Sequence, residues 1–204
     1  MTREPRIHSV STMDLHPTQI TVGMREVEAK RRHWRTYKKD RLSFLGSHML
    51  PVIQGPRDRL FITDHHHLAL ALHREKVSKV AVTVVANLHK LDKKAFWVFL
   101  DNRGWTHPFD SAGKRRRYDD VPEKITELED DPYRSLAGEL RRIGGFAKDT
   151  TPFSEFLWAD FLRRRIKRKT IDADFSGAVE EALRLAKSPV SDYLPGWCGP
   201  VEGE

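Results

Sequence analysis

The apolar positions of the chain change their spacing near residue 90. Before that point they come in short runs, and residues 80–86 (VAVTVVA) form a β-branched run typical of a strand. Shorter apolar runs at residues 20–22, 49–53 and 60–63 predict three more strands. Beyond residue 90 the apolar side chains recur at helical spacing, beginning with a helix predicted at residues 92–103. The pattern therefore predicts an α+β protein with strands in its first half and a helical C-terminal part.

Helix signals complete this outline. Asp40 and Asp92 are residue types that cap helix N-termini, and Phe96, Phe99 and Leu100 are predicted to be the buried side chains after Asp92. Further helices are predicted at residues 24–39, 122–128, 132–143 and 175–187. We expect four segments: a polar N-terminal segment (1–17), an α+β core (18–90), a helical part packed on the core (91–190) and a C-terminal tail (191–204).

The stretch LFITDHHHLALALHR, residues 60–74, joins one of these strands to a helix. Asp64 follows the strand and is predicted to cap the helix through backbone N–H groups two or three residues on. Leu68 and Leu72 then supply a buried helical face. The first turn of this helix is predicted to carry three consecutive histidines, His65, His66 and His67.

A helix N-terminus presents N–H donors and the positive end of the helix dipole, which favour phosphate. We therefore expect Asp64, His65, His66 and His67 to form a phosphate site. Consecutive helical residues point about 100° apart, so the three histidines cannot all serve one ion unless the turn is distorted, and we expect one of them, His67, to be structural. His66 and His67 are candidate catalytic residues, and Asp64 with His66 is a candidate metal pair.

Composition narrows the class of protein. The 204 residues are 39% hydrophobic, which is enough for one sizeable core. A net charge of +7 and a pI of about 9.6 suit an anionic partner, although a soluble basic surface explains them equally well. Cys198 is the single cysteine, so a disulfide framework is excluded. The sequence contains no apolar stretch of about 20 residues and no N-terminal signal core, so we expect a cytoplasmic protein without a membrane span.

Basic residues cluster in two places. Lys114, Arg115 and Arg116 follow His107 and Asp110 in one loop. This loop can fold over the strand end and supply positive charges that bind phosphate, or it can remain a solvated loop. A second run, residues 163–169 (RRRIKRK), is predicted to end a helix. Any DNA binding by these runs is expected to be electrostatic and low in sequence preference.

The order of motifs resembles the ParB/sulfiredoxin superfamily, and more narrowly its stand-alone ParB-like nuclease family. The similarity extends over most of the chain, from about residue 20 to residue 165. The matching segments are GMREV (23–27), LPV (50–52), ITDHHHLA (62–69), FW (96–97), DPYRSL (131–136) and the PF…WADF segment that begins at residue 152. The resemblance implies an α+β fold with a small mixed sheet.

The resemblance also implies phosphate chemistry at the start of the histidine helix. Related proteins bind nucleotide phosphates there through a motif like D-G-H-H-R, in which Asp64, His66 and His67 match. His65 stands at the glycine position and Leu68 at the arginine position. Without the glycine, the backbone cannot approach a phosphate as closely. Without the arginine, the site lacks a guanidinium that binds phosphate. Glu26 stands where related serine kinases keep a catalytic carboxylate, and the catalytic cysteine of sulfiredoxins is absent from this segment.

Three functional hypotheses remain. The leading one is an enzyme that processes a phosphoester or phosphoanhydride, either a nuclease or a nucleotide-dependent phosphotransferase. In it, helix-end amides, His66 and His67 hold the phosphate, Glu26 activates the nucleophile, and Mg²⁺ or another divalent cation offsets charge. The alternative is a non-catalytic nucleotide- or DNA-binding module of the ParB type. The third is a scaffold in which the histidines are structural.

Overall fold

A computed structural model describes residues 7–37 and 40–200, and within these ranges the chain is an α+β protein. The strands are β1 Ile7–Ser11, β2 Leu15–His16, β3 Thr21–Val22, β4 Leu50–Gln54, β5 Leu60–Ile62, β6 Lys79–Asn87 and β7 Glu129–Asp130. The helices are α1 Met24–Thr36, α2 Arg41–Ser47, α3 His66–Arg74, α4 Lys93–Asn102, α5 Pro132–Arg142, α6 Ser154–Arg163, α7 Arg168–Ala173 and α8 Phe175–Lys187. No helix of the described residues is long and apolar enough to span a membrane.

Five strands form one curled mixed sheet in the order β1-β6-β4-β5-β2. The long strand β6 lies antiparallel to β1 and parallel to β4. Strand β5 lies antiparallel to β4 and parallel to β2. In register, Val52 of β4 is paired with Val84 on one side and Ile62 on the other. The sheet is therefore mixed, as the family resemblance implies.

The chain divides into two compact units, each with its own core. The first comprises the described residues up to Val22, Glu26–Asp110 and Lys114–Glu129. Its aromatic cluster is built around Phe61, Phe96 and Trp97. The second comprises Gly23–Arg25, Ser111–Gly113 and the described residues from Asp130 onward, and Trp158 is its largest fully buried side chain.

Most predicted elements are confirmed. The Asp40 and Asp92 carboxylates cap α2 and α4, accepting the backbone N–H groups of Ser43 at 3.3 Å and Ala95 at 2.8 Å. Helix α8 has the predicted bounds. Helix α1 ends at Thr36, and the end predicted for it, at residue 39, lies outside the described residues.

Three local expectations were wrong. Phe99 is 39% exposed because the buried stripe of α4 is formed by Phe96, Trp97 and Leu100, and its ring lies beside Trp105 instead. The helix predicted at residues 122–128 is a single 3₁₀ turn, Ile125–Glu127. The basic run at 163–169 does not continue one helix, because α6 ends at Arg163 and α7 begins at Arg168.

Candidate functional site

The histidine stretch begins with a left-handed residue rather than with an aspartate cap. Helix α3 starts at His66, and the residue before it, His65, has φ 65° and ψ 25°. The expectation that Asp64 caps the helix is wrong, because its Oδ1 accepts the N–H of the adjacent His65 at 2.6 Å. The first turn instead closes through the Ala69 N–H, which donates to the His65 carbonyl at 2.9 Å. Asp64 therefore keeps an exposed carboxylate beside the helix start.

His65 occupies the glycine position of the related motif and keeps the backbone shape that glycine favours. A positive φ costs a residue with a Cβ on the order of 1 kcal/mol. The chain thus retains the strand-to-helix turn of the motif while placing an imidazole where related proteins have no side chain. His65 Nε2 lies 3.8 Å from Asp64 Oδ2.

His66 is 3% exposed and joins α3 to the segment before β3. Its Nε2 accepts the backbone N–H of Thr18 at 3.1 Å. An amide N–H always donates, so this ring nitrogen carries a lone pair rather than a proton. Proton transfer or metal binding at His66 Nε2 would require breaking the bond to Thr18.

Thr18 is the centre of this arrangement and is 1% exposed. Its hydroxyl donates to the carbonyl of Ile62, the last residue of β5, at 2.7 Å. Its own carbonyl accepts the N–H of His107 at 2.9 Å and the hydroxyl of Thr106 at 2.7 Å. Thr18 therefore fixes the end of β5, the start of α3 and the loop that begins at residue 106. Sequence reasoning missed it, because a lone threonine after a proline carries no distinctive signal.

The structure brings Glu26 and His67 together. His67 Nε2 lies 3.5 Å from Glu26 Oε2, and that oxygen is buried. The two side chains differ in exposure: 10% for His67 and 26% for Glu26. Lys30 Nζ lies 3.6 Å from the other oxygen, Oε1. The pair thus places a buried histidine at ion-pair distance from a partly exposed carboxylate that a solvent molecule can reach, without a hydrogen bond to the buried oxygen Oε2.

Ion pairs hold α1 and α3 side by side in the same direction. Glu75, just after α3, accepts hydrogen bonds from Arg31 Nε at 2.7 Å and from Arg35 at 2.6 Å. Glu28 contacts Arg31 at 2.9 Å and Arg74 at 3.2 Å. The Arg35 hydrogen bond is the largest influence on Glu75 and lowers its pKa to about 2, with a further contribution from Arg31. These contacts fix the spacing at which the start of α1 faces the start of α3.

The basic loop is held by carboxylates of its own unit. Arg115 contacts Asp101, and Arg116 Nε donates to Asp110 at 2.7 Å. The backbone N–H of Lys114 donates to the same Asp110 carboxylate at 2.9 Å. The loop starts at the Thr18 hydrogen bonds, whereas Arg115 is bound to α4 through Asp101.

The second basic run is largely paired within its own unit. Arg163 contacts Asp131 and Asp160, and Arg164 contacts Asp160 as well. Asp131 is buried, and burial raises its pKa, with Arg163 opposing the shift. The first two arginines of the run thus have carboxylate partners before any anion arrives.

The side chains that could bind a metal ion do not form a cluster in the described part of the chain. Among residues 7–37 and 40–200, no group of three or more His, Cys, Asp or Glu residues converges on a metal-sized space. The predicted pair does not fit an ion as it stands, because His66 Nε2 already accepts the backbone N–H of Thr18, whereas the exposed Asp64 carboxylate keeps Oδ2.

Comparison with known proteins places the chain in a family. The family model described as "Putative ParB-like nuclease" matches residues 8–164. The chain is 51% identical to protein Atu1540 from Agrobacterium tumefaciens, whose crystal structure superposes with a TM-score of 0.92 over 97% of this chain and 99% of that one. No curated protein matches the sequence. The family match covers more than half of the chain and includes Glu26 and the three histidines, so the protein belongs to the ParB-like nuclease family.

Proposed function

We propose that the protein is an enzyme that processes a phosphoester or phosphoanhydride, as a nuclease or a related phosphotransferase. The phosphate binds at the start of α3, and Glu26 is the base. The observation that supports this proposal is the 3.5 Å contact between Glu26 and His67 at the shared end of α1 and α3.

The phosphate site relies on backbone groups rather than on the arginine of the related motif. Helix α3 has nine residues, and the first N–H groups of a helix have no partner within it. The positive end of the dipole adds to their attraction for an anion. Leu68 stands where the motif has arginine, so we expect weaker phosphate binding than in proteins that keep that side chain.

In the reaction, Glu26 takes the proton of an attacking water or hydroxyl. The attacking oxygen forms a bond to phosphorus, and the bond to the leaving oxygen breaks with its electron pair. The protonated Glu26 can then return a proton to the leaving oxygen. His67 lies 3.5 Å from the buried Glu26 Oε2, so the nucleophile meets Glu26 at Oε1, beside Lys30. His66 acts through Thr18, by fixing the helix start.

Turnover is expected to be tested for dependence on a divalent cation. Mg²⁺ is often held by one carboxylate together with the phosphates of the substrate, and Asp64 has an exposed carboxylate at the site. If Mg²⁺ enters in this way, Asp64→Asn removes the Mg²⁺ dependence of turnover.

The test is phosphate release or strand cleavage from nucleotides, nucleic acids and small phosphoesters, with and without Mg²⁺. Glu26→Gln should lower kcat about 10²- to 10⁴-fold while phosphate still raises the melting temperature. His67→Gln should lower kcat less. Glu180→Gln on α8 and His89→Gln, two exposed positions, are the matched controls and should leave kcat unchanged.

A specific observation favours the alternative, a binding module without turnover. His66 and Asp64 both accept backbone N–H groups, as structural residues do. If ligands stabilise the native protein and Glu26→Gln equally, and no substrate gives turnover with any divalent ion, the enzyme proposal is wrong and the binding module replaces it.

A further inference from the structure

Two adjoining cavities border α4 in the first unit. The deeper one has a volume of about 400 Å³ and an apolar wall that includes Phe61, Phe96, Trp97 and Tyr118. The second, about 570 Å³, is lined mainly by basic side chains, namely Lys93, Lys94, Arg115, Arg116 and Arg117. Lys93, Trp97, Tyr118 and Asp119 line both. We call this continuous surface the α4 groove.

The α4 groove presents the half-buried Tyr118 ring, which the buried Trp97 ring supports from behind. The Trp97 and Tyr118 rings are stacked, with centroids 6.0 Å apart and planes 9° from parallel. Phe61 packs edge-on against Trp97 at 5.7 Å. The Tyr118 hydroxyl donates to Asp101 at 2.6 Å, which fixes the orientation of the ring. Nucleobases stack on such faces with little sequence preference, because every base has a π-face.

Two cations of the α4 groove, Lys93 and Arg117, form solvent-exposed ion pairs. Lys93 is 2.6 Å from Asp119 and Arg117 is 3.3 Å from Asp120, and these cationic side chains are 70% and 83% exposed. Exposed ion pairs contribute little to stability, so an incoming phosphate can replace the carboxylate at small cost. Lys94 has no carboxylate within ion-pair distance among the described residues.

Cations line both cavities, and the deeper one also contains carboxylates, among them Glu123, which lies 3.5 Å from Arg59. Arg57 and Arg59 line the deeper cavity, and Arg115 to Arg117 line the basic one. A single phosphate group needs one such cluster, whereas a strand carries a phosphate at every step along its backbone. We propose that the α4 groove binds single-stranded nucleic acid, with a base against the half-buried Tyr118 ring and backbone phosphates at the basic side chains. This site is separate from the start of α3 and does not depend on the enzyme proposal.

The test is fluorescence anisotropy with a labelled single-stranded oligonucleotide of about ten residues, titrated at several salt concentrations. Lys94→Glu combined with Arg117→Glu should weaken binding about tenfold or more and reduce the salt slope by about 1.4, the expected loss for two phosphate contacts on a single strand. Lys148→Glu combined with Arg184→Glu makes the same charge change at exposed positions outside the groove, and should weaken binding far less.

Two substitutions test the stacking. Tyr118→Leu should weaken binding about 5- to 150-fold, whereas Tyr118→Phe keeps the ring and should bind like the native protein. Melting temperatures identify any variant that fails to fold, and if Tyr118→Leu does so, the charge variants decide the question. Equal losses in the groove and control charge variants would overturn the proposal. So would unchanged affinity in every groove variant, or equal affinity for a duplex or a mononucleotide.

Discussion

Glu75→Gln removes a charge that joins α1 to α3 while leaving the backbone end of α3 intact. The carboxylate contacts Arg31 and Arg35, and its side chain is 12% exposed. Glutamine keeps the size of the side chain, and the Glu75 N–H that donates to the Ala71 carbonyl at 3.0 Å is unaffected. The substitution therefore isolates the ionic contribution to the contact between the two helices that carry Glu26 and His67.

The size of the ionic contribution of Glu75 to stability follows from the shift in its pKa. The Arg35 hydrogen bond, with Arg31, lowers the pKa of Glu75 from 4.5 to about 2. At 1.36 kcal/mol per pKa unit, this corresponds to an upper limit of about 3.4 kcal/mol. Arg35 is 55% exposed, and solvent screening weakens its interaction. We therefore expect Glu75→Gln to lower the free energy of unfolding by about 1–2 kcal/mol at pH 7.

The pH dependence gives the sharper test. Because the folded-state pKa of Glu75 is depressed, its contribution is complete above pH 4.5 and is lost as the pH falls toward 2. Urea denaturation of the native protein and of Glu75→Gln, compared from pH 7 to pH 3, should show a stability difference that shrinks by about 60% at pH 3. Glu180→Gln is the control. A difference that is independent of pH would refute the ionic explanation.

Three further predictions concern the start of α3. His65→Gly should raise the free energy of unfolding by about 0.5–1 kcal/mol in urea denaturation, because glycine accepts the positive φ without strain; no gain over His65→Ala would contradict this. Thr18→Val should lower the free energy of unfolding by about 1–3 kcal/mol in the same assay, because the Ile62 carbonyl loses its hydroxyl donor. The control, Thr36→Val at an exposed helix end, should not lower it. His66→Phe should lower it by a similar amount, because the buried Thr18 N–H loses its acceptor; unchanged stability would show that the bond is dispensable.

The elements that were predictable from sequence are those whose signals are local. The β-branched run of β6 and the aspartate caps of α2 and α4 depend on neighbouring residues only, and each was found at the predicted place. Strand β1 had no such signal. Its sequence, IHSVS, contains little apolar periodicity, and it is a strand because it pairs antiparallel with β6 more than 60 residues away.

The candidate site was predictable in composition but not in arrangement. Glu26, His66 and His67 came from their places in the motif, yet the acceptor role of His66 depends on Thr18, 48 residues earlier. The left-handed His65 had only a weak signal, because histidine is enriched at positive φ but still adopts it rarely. Chain periodicity carries no information about either feature.

The hydrogen bonds of Thr18 have a consequence for communication within the first unit. Its amide fixes His66, and its carbonyl holds Thr106 and His107, from which the chain continues to the basic side of the α4 groove. A ligand at the start of α3 that displaces Thr18 would also displace Thr106 and His107 at the start of the loop. Conversely, single-stranded nucleic acid bound in the α4 groove would affect the position of Thr18 through the same hydrogen bonds. Thermodynamic linkage then requires the two effects on affinity to be equal, which would make Thr18 the point of an allosteric coupling.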